Sequence, residues 1–297
     1  MNFNLSDLAK ELEKDIENIQ YYYAKAHVSL YYPDEHDLPL HAGTAILLNV
    51  KNYYFLVTAS HVTSNRTGMM TRENKKEFFI PLKNQLYGLE LNGFNSIING
   101  YEHHILEHLS PENVEVDIAV FEIKEPSLQM IKEEYRFMDI SEVQIDHFPS
   151  SSFLYYIYGF PEFANQVKES QNNKPNLFTI SCKTYPIKDY NIIDAIPQTH
   201  IVVNLDKTNL KSPSGEISEI EPEGMSGGGL FAFRVTFSNN QVNVFWKLAG
   251  INIEYKDWAD AFVCVKANYF TEIIRNKFPE LKDKVPSSKS VKININS

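Results

Sequence analysis

The apolar positions of this chain change period near its beginning and again near its end. Leu5, Leu8, Leu12, Ile16, Ile19 and Tyr23 recur at three- and four-residue steps, so they share one face of a helix predicted over 5–23, with Asn4 as its N-cap. From about residue 26 the pattern shortens to alternation and brief apolar runs. These predict strands at 26–32, 44–50, 53–58, 77–82, 87–91 and 114–123. Asn49-Val50-Lys51-Asn52 fits a hairpin turn between two of them. Residues 124–147 are charged and weakly patterned, carry Pro126, and read as a linker. A second series of strands is predicted at 153–158, 177–185, 200–204, 229–237, 242–252 and 261–265. A closing helix over 268–278 carries Phe270, Ile273, Ile274 and Phe278 on one face, and the polar residues 286–297 are expected to fray. Two strand groups with a helix at each end predict an all-β protein of two barrels or sandwiches.

Composition narrows the function classes. A chain of 297 residues with 43% hydrophobic and 22% charged positions is globular rather than disordered. Its net charge of -10 repels phosphate backbones and anionic lipid, and no clustered Lys/Arg offsets that charge. No nucleic acid and no membrane partner is therefore expected. Two cysteines, Cys182 and Cys264, make no disulfide framework and read as buried thiols. The N-terminus lacks the basic and apolar regions of a signal peptide, and no apolar stretch reaches membrane-spanning length. The expectation is a soluble cytoplasmic protein.

Four of the 12 glycines fall within six residues, Gly224-Met225-Ser226-Gly227-Gly228-Gly229. Such a cluster marks backbone that bends sharply or approaches something closely. A serine at its centre suits a nucleophile, and the N–H groups of Gly224 and Ser226 are the candidate oxyanion hole. A glycine-rich turn with an incidental serine is the bland alternative. The serine would need a base. Of nine histidines, His61 comes just after the apolar run 53–58, in Ala59-Ser60-His61-Val62, which sets an imidazole at the rigid end of a strand. Taken alone it could equally be a satisfied edge histidine. The base would need a carboxylate, and Asp117 sits at the mouth of the apolar run 118–121, where burial is costly without a partner. Its alternative is a turn cap. His61 and Asp117 belong to the first strand group and Ser226 to the second, so a site would lie between two β-domains.

These residues carry a resemblance. Leu56-Val57-Thr58-Ala59-Ser60-His61-Val62 is similar to a T-A-x-H motif, Val116-Asp117-Ile118-Ala119-Val120 to D-[IL]-A, and Gly224-Met225-Ser226-Gly227-Gly228 to G-x-S-G-G. Gly43-Thr44-Ala45-Ile46 resembles the strand before the histidine, Tyr158-Gly159-Phe160-Pro161 the turn opening a second barrel, and Leu248-Ala249-Gly250-Ile251-Asn252 a strand lining the specificity pocket. In this order, over about residues 25–278, the chain resembles the chymotrypsin-like serine proteases, and among them the bacterial HtrA-like and glutamyl endopeptidase branch.

The resemblance implies two six-stranded antiparallel β-barrels. It divides the chain into an N-terminal helical extension (1–24), a first barrel (25–125), a linker (126–147), a second barrel (148–267) and a C-terminal helix and tail (268–297). It implies a serine endopeptidase with catalytic Ser226, His61 and Asp117, and a protein or peptide substrate. Ile220, Glu221, Gly250, Ile251 and Asn252 would border the S1 pocket. Met225 stands where digestive members carry an aspartate, which argues against activation by N-terminal cleavage. Gly229 replaces a frequent proline, and the stretch after residue 280 is too short for a PDZ domain. A protease loose in a cytosol needs restraint, so an activating or restraining protein partner is expected. The alternative is a latent pseudoprotease serving as a binding module. His103, His104, Glu107 and His108 have some helical ligand spacing but lack the H-E-x-x-H order, so they read as a solvated loop, and no metal or cofactor is expected.

Overall fold

The computed structural model describes residues 5–33, 36, 38–63, 77–83, 85–90, 105–106, 116–166, 174–212, 215–216, 221–238, 241–291 and 293–294. Helix α1 (Leu5–Ala24) leads into β1 (His27–Pro33), β2 (Pro39–Val50), β3 (Tyr53–Thr58), the single turn α2 (Ser60–Thr63), β4 (Glu77–Leu82), β5 (Gln85–Glu90), β6 (Ile105–Leu106) and β7 (Ala119–Glu122). Next come α3 (Ser127–Glu134), β8 (Met138–Asp139), β9 (Leu154–Gly159), α4 (Glu162–Asn165), β10 (Phe178–Thr184), β11 (His200–Ser212) and β12 (Gly215–Glu216). The chain closes with β13 (Gly229–Ser238), β14 (Gln241–Lys256), β15 (Ala261–Lys266), α5 (Ala267–Lys277) and β16 (Ile293–Asn294).

Apart from the short antiparallel pair β16-β6, the strands form two largely antiparallel sheets, as the sequence predicts. The first runs β5-β4-β1-β2-β3-β7, six strands, with short β8 pairing parallel to β2 at its side. The second runs β10-β9-β13-β14-β15-β11, and β10 also pairs with β11. That pairing closes a six-stranded barrel, to which β12 adds a short hairpin arm. Closure removes the exposed strand edges that would otherwise invite pairing with other chains.

The alternation along β2 shows why the two units pack together. Ala45 and Leu47 enter the core of the first unit, with Val28, Leu30, Leu56 and Ile80. Ile46, Leu48 and Val50 point the other way, into a cluster shared with Phe231, Trp246, Leu248 and Ile251 of the second barrel. A strand buried on both faces reads as a continuous apolar run, which is how this one reads. The barrel interior is a third cluster, including Tyr155, Ile157, Ile180, Ile201, Leu230 and Phe262. Each such side chain contributes about 1.5–3 kcal/mol by leaving water. Cys182 and Cys264 lie buried inside this cluster and are not joined in a disulfide.

Helix α1 lies on the shared cluster through Ile16, Ile19 and Tyr23. The Tyr23 ring stacks over Trp246 and tilts against Phe231, and its hydroxyl donates to the Trp246 carbonyl at 3.3 Å. The helix therefore covers the seam between the sheets.

The segment 126–147 is more than a connector. It contains α3, which buries Leu128 and Ile131. It also contains a 3-10 turn, Ile140–Glu142, closed by a capping box between Asp139 and Glu142. Gln144 N–H then donates to the Leu248 carbonyl.

The tail differs from its expected fraying up to Val291, which is buried. The Asp146 carboxylate accepts hydrogen bonds from Ser288 Oγ (2.5 Å), Lys289 N (2.7 Å), Ser290 Oγ (2.6 Å) and Asn268 Nδ2 (3.1 Å). Partial burial alone would raise its pKa, but these donors outweigh it and leave the carboxyl below its ordinary value. No helix among the described residues is long and apolar enough to cross a membrane.

Candidate active site

His61 occupies the single turn α2 that follows β3 directly. Asp117 lies just before β7, which pairs with β3 from Thr58↔Ala119 onward. The pairing therefore brings the two residues to one end of adjacent strands. The Asp117 carboxylate grips His61 twice, accepting from its backbone N–H at 2.9 Å and from ring Nδ1 at 2.6 Å. An acceptor-only carboxylate on Nδ1 fixes the proton there and leaves Nε2 with its lone pair. Val116 and Ile118, both buried, hold Asp117 from either side, and Ile118 N–H turns back to the Val116 carbonyl. The side chains of His61 and Asp117 remain about one-third exposed, so the pair opens to solvent.

Ser226 is delivered by the turn between Pro222 and β13. Gly224 has φ +86° and Gly227 φ +89°, the left-handed region that side chains avoid. At Gly227 a Cβ would lie 1.9 Å from the Thr44 carbonyl and 2.1 Å from Thr58 Oγ1. These two glycines are structural requirements for the turn.

Thr44 of β2 threads this turn onto the first sheet. Its backbone N–H donates to the Ser226 carbonyl at 2.8 Å, and its Oγ1 donates to the Gly224 carbonyl at 3.2 Å. The same hydroxyl accepts from Phe160 N–H at 2.9 Å. The Thr44 carbonyl in turn accepts from Thr58 Oγ1 at 2.6 Å. A Cβ on neighbouring Gly43 would sit 2.9 Å from both the Ser226 carbonyl and a Val62 γ-carbon. The residue after His61 and the serine turn thus meet over one glycine, at the junction of the two sheets.

Six amides span 224–229. Met225 N–H donates to Pro222 O, Gly227 N–H to Asn252 O, Gly228 N–H to Met225 O, and Gly229 N–H to His27 Nε2. Among the described residues the amides of Gly224 and Ser226 have no acceptor. These are the two that the sequence nominates for an oxyanion. The Ser226 hydroxyl donates to the Ile253 carbonyl at 3.2 Å, and among the described residues no hydrogen bond joins it to His61.

His41 stands behind Gly224, its Cε1 and Nδ1 each 2.8 Å from where a Cβ on that glycine would be. Among the described residues neither of its ring nitrogens has a hydrogen-bond partner, and burial pushes its pKa down to about 4. His200 is likewise pushed down to about 4, by burial first and then by the Lys266 charge, with the Asp117 charge opposing.

The residues expected around a specificity pocket divide. Glu221 is exposed, and Ile220 lies outside the described residues, as do His103, His104, Glu107 and His108. Gly250, Ile251 and Asn252 are buried on β14 behind the turn. Asn252 N–H donates to the Gly228 carbonyl at 2.8 Å, and its Nδ2 donates to the Met225 carbonyl at 3.2 Å. Gly250 could not carry a side chain, since a Cβ would fall 2.6 Å from the Val265 carbonyl. In this structure Asn252 braces the turn.

Thr44, Thr58 and His27 escape a search for catalytic residue types. The available signal was a polar residue inside an otherwise apolar run, which must find a partner when buried. Among the described residues no group of three or more His, Cys, Asp or Glu is arranged to hold a metal ion.

No protein-family model and no curated protein sequence matches the chain. Among solved structures it is similar to the serine protease domain of the Sesbania mosaic virus polyprotein, at 13% identity over 84% of this chain and 91% of that one, with a TM-score of 0.40. A second similar structure concerns aromatic interactions that drive coupled folding and binding of the intrinsically disordered Sesbania mosaic virus VPg protein. It is 12% identical over 81% of this chain and 86% of that one, with a TM-score of 0.40.

Proposed function

We propose that this chain is a serine endopeptidase working through Ser226, His61 and Asp117. The observation that carries the reading is the pair of amides at Gly224 and Ser226, without an acceptor among the described residues, set in a turn locked to the sheet that holds the His61–Asp117 pair. Oriented N–H groups with no internal acceptor are what a developing oxyanion requires.

In this mechanism the Ser226 hydroxyl rotates from the Ile253 carbonyl toward His61. Its Oγ bonds to the peptide carbonyl carbon as His61 Nε2 takes the proton. The carbonyl oxygen becomes the oxyanion and is held by the Gly224 and Ser226 amides. Asp117 stabilises the imidazolium through Nδ1. Collapse of the tetrahedral species breaks the C–N bond, and His61 passes its proton to the leaving amine. Water, deprotonated by His61, then splits the acyl-enzyme and regenerates Ser226.

The affinity with the HtrA-like and glutamyl endopeptidase branch rests on the sequence motifs. The cytoplasmic assignment draws support from the two buried cysteines, which form no disulfide and suit a reducing compartment. The narrow-substrate or partner-activated reading draws support from the resting contact of Ser226 with Ile253. That contact also favours the second reading, a latent protease-like binding module.

A fluorophosphonate probe with the purified chain separates the two. The proposal expects covalent labelling that Ser226→Ala abolishes, and cleavage of some members of a peptide library. Absence of labelling and cleavage, with cellular extract present or absent, overturns it in favour of the binding module.

A further inference from the structure

Gly229, directly after the serine turn, is held by a residue from the far end of the chain. Its N–H donates to His27 Nε2 at 3.3 Å. The other ring nitrogen, Nδ1, lies 2.9 Å from the Tyr23 carbonyl in the last turn of α1. A carbonyl only accepts and an N–H only donates, so the two partners fix the ring as neutral, with its proton on Nδ1. His27 is 1% exposed and stacks on Tyr158 at 5.0 Å, so the ring is clamped between planes as well as between hydrogen bonds. Burial lowers its pKa to about 4, in keeping with that neutral form.

Gly229 fits this contact in two ways. A proline would have no N–H to give. A Cβ there would sit 2.7 Å from a Phe231 ring carbon and 2.9 Å from His27 Nε2. On the other side, Tyr23 is anchored to the second barrel by its ring and hydroxyl. The contacts make a continuous line: α1, Tyr23 carbonyl, His27 ring, Gly229 amide, serine turn.

We propose that His27 is a positioning residue, through which the seating of α1 sets the order of the turn carrying Ser226. Its effect on catalysis rests on the endopeptidase reading; its effect on the turn does not. With α1 seated, Gly229 is fixed and the Gly224 and Ser226 amides keep their aim. With α1 displaced, the ring loses its Nδ1 anchor and the turn loosens.

Amide exchange across 224–230 and the rate of fluorophosphonate acylation test this in the full chain. His27→Asn places an amide near the δ position and nothing at ε. It is expected to speed exchange at Gly229 about tenfold and slow acylation about as much, the size of one lost hydrogen bond. His27→Gln can present its Oε1 near the ε position and is expected to recover most of both. Ile19→Ala, on α1 and away from the turn, is expected to raise exchange at Gly229 while β15 stays protected.

Wild-type exchange at Gly229 in His27→Asn overturns the proposal. So does equal loss in the Asn and Gln variants that follows only their melting temperatures. If either His27 variant does not fold, Ile19→Ala decides: faster exchange along α1 with none at Gly229 overturns it. A wild-type chain that never reacts with the probe removes the endopeptidase reading, and the exchange comparison still decides the coupling.

Discussion

Thr44 and Ser226 are 182 positions apart in sequence, yet the Thr44 N–H donates to the Ser226 carbonyl at 2.8 Å. One belongs to the first sheet and the other enters the second barrel. The serine turn is therefore fixed by a strand of the neighbouring unit. Removing the hydroxyl with Thr44→Val keeps that backbone bond but leaves Phe160 N–H and the Gly224 carbonyl without their shared partner. The expected cost is about 1–3 kcal/mol of stability, because buried polar groups are left unsatisfied. Urea unfolding measures this, and acylation of Ser226 is expected to slow by about tenfold if the Gly224 peptide turns. Unchanged unfolding and acylation would mean that Thr44 is incidental.

Gly227 has no room for a methyl group. With φ +89° and a Cβ position 1.9 Å from the Thr44 carbonyl, Gly227→Ala combines backbone strain with a collision against backbone. A loss of about 3 kcal/mol or more is expected, seen as a drop of several degrees or more in thermal midpoint. A variant as stable as wild type would contradict this turn geometry.

Asp117→Asn tests the tautomer. The amide oxygen can still accept from the His61 backbone N–H, so the fold is retained. The amide nitrogen then faces Nδ1 and donates to it, which moves the ring proton to Nε2. On the proposed mechanism His61 then cannot take the Ser226 proton, and kcat is expected to fall on the order of 10⁴-fold with KM little changed. Titration of the His61 ring by NMR in both forms checks the proton position.

The buried histidines make stability depend on acidity. His27, His41, His147 and His200 are each pushed down to about 4, chiefly by burial, against an ordinary value of 6.5. The unfolded chain binds protons below pH 6.5 that the folded chain refuses. Stability is thus fully present above pH 6.5 and is lost as pH falls toward 4, by on the order of 3 kcal/mol for fully buried His27 alone. Urea midpoints at pH 7.5 and pH 5 are expected to differ in that direction. His27→Gln is expected to flatten the slope, and a slope equal to wild type would count against a neutral buried His27.

Much of this arrangement is legible in the chain, because period and turn chemistry are local. The two strand groups, α1, the C-terminal helix and the glycine turn are all visible that way. What is not legible depends on contacts across the fold. Of the predicted strand 114–123, the first two residues lie outside the described residues, and among the rest the strand runs over Ala119–Glu122. The Ile118 N–H turns back to the Val116 carbonyl, so it cannot extend the ladder. The charged stretch 124–147 hides α3 and a capped turn, since α3 is only eight residues long and buries just Leu128 and Ile131, too short a run to establish a period. The serine of the tail could not announce its partner, because Asp146 is more than 140 residues away. The site was legible as residue types and order, whereas its scaffolding by Thr44, Thr58 and His27 was visible only in three dimensions.

The stacking of Tyr23 on Trp246 has an optical consequence. The chain has two tryptophans; Trp246 is 5% exposed under α1, and Trp258 is 66% exposed on the surface. Emission from the first is shielded from aqueous quenchers and the second is not. Iodide therefore extinguishes Trp258 first, and what remains reports whether the helix is in place, with no label attached to the molecule.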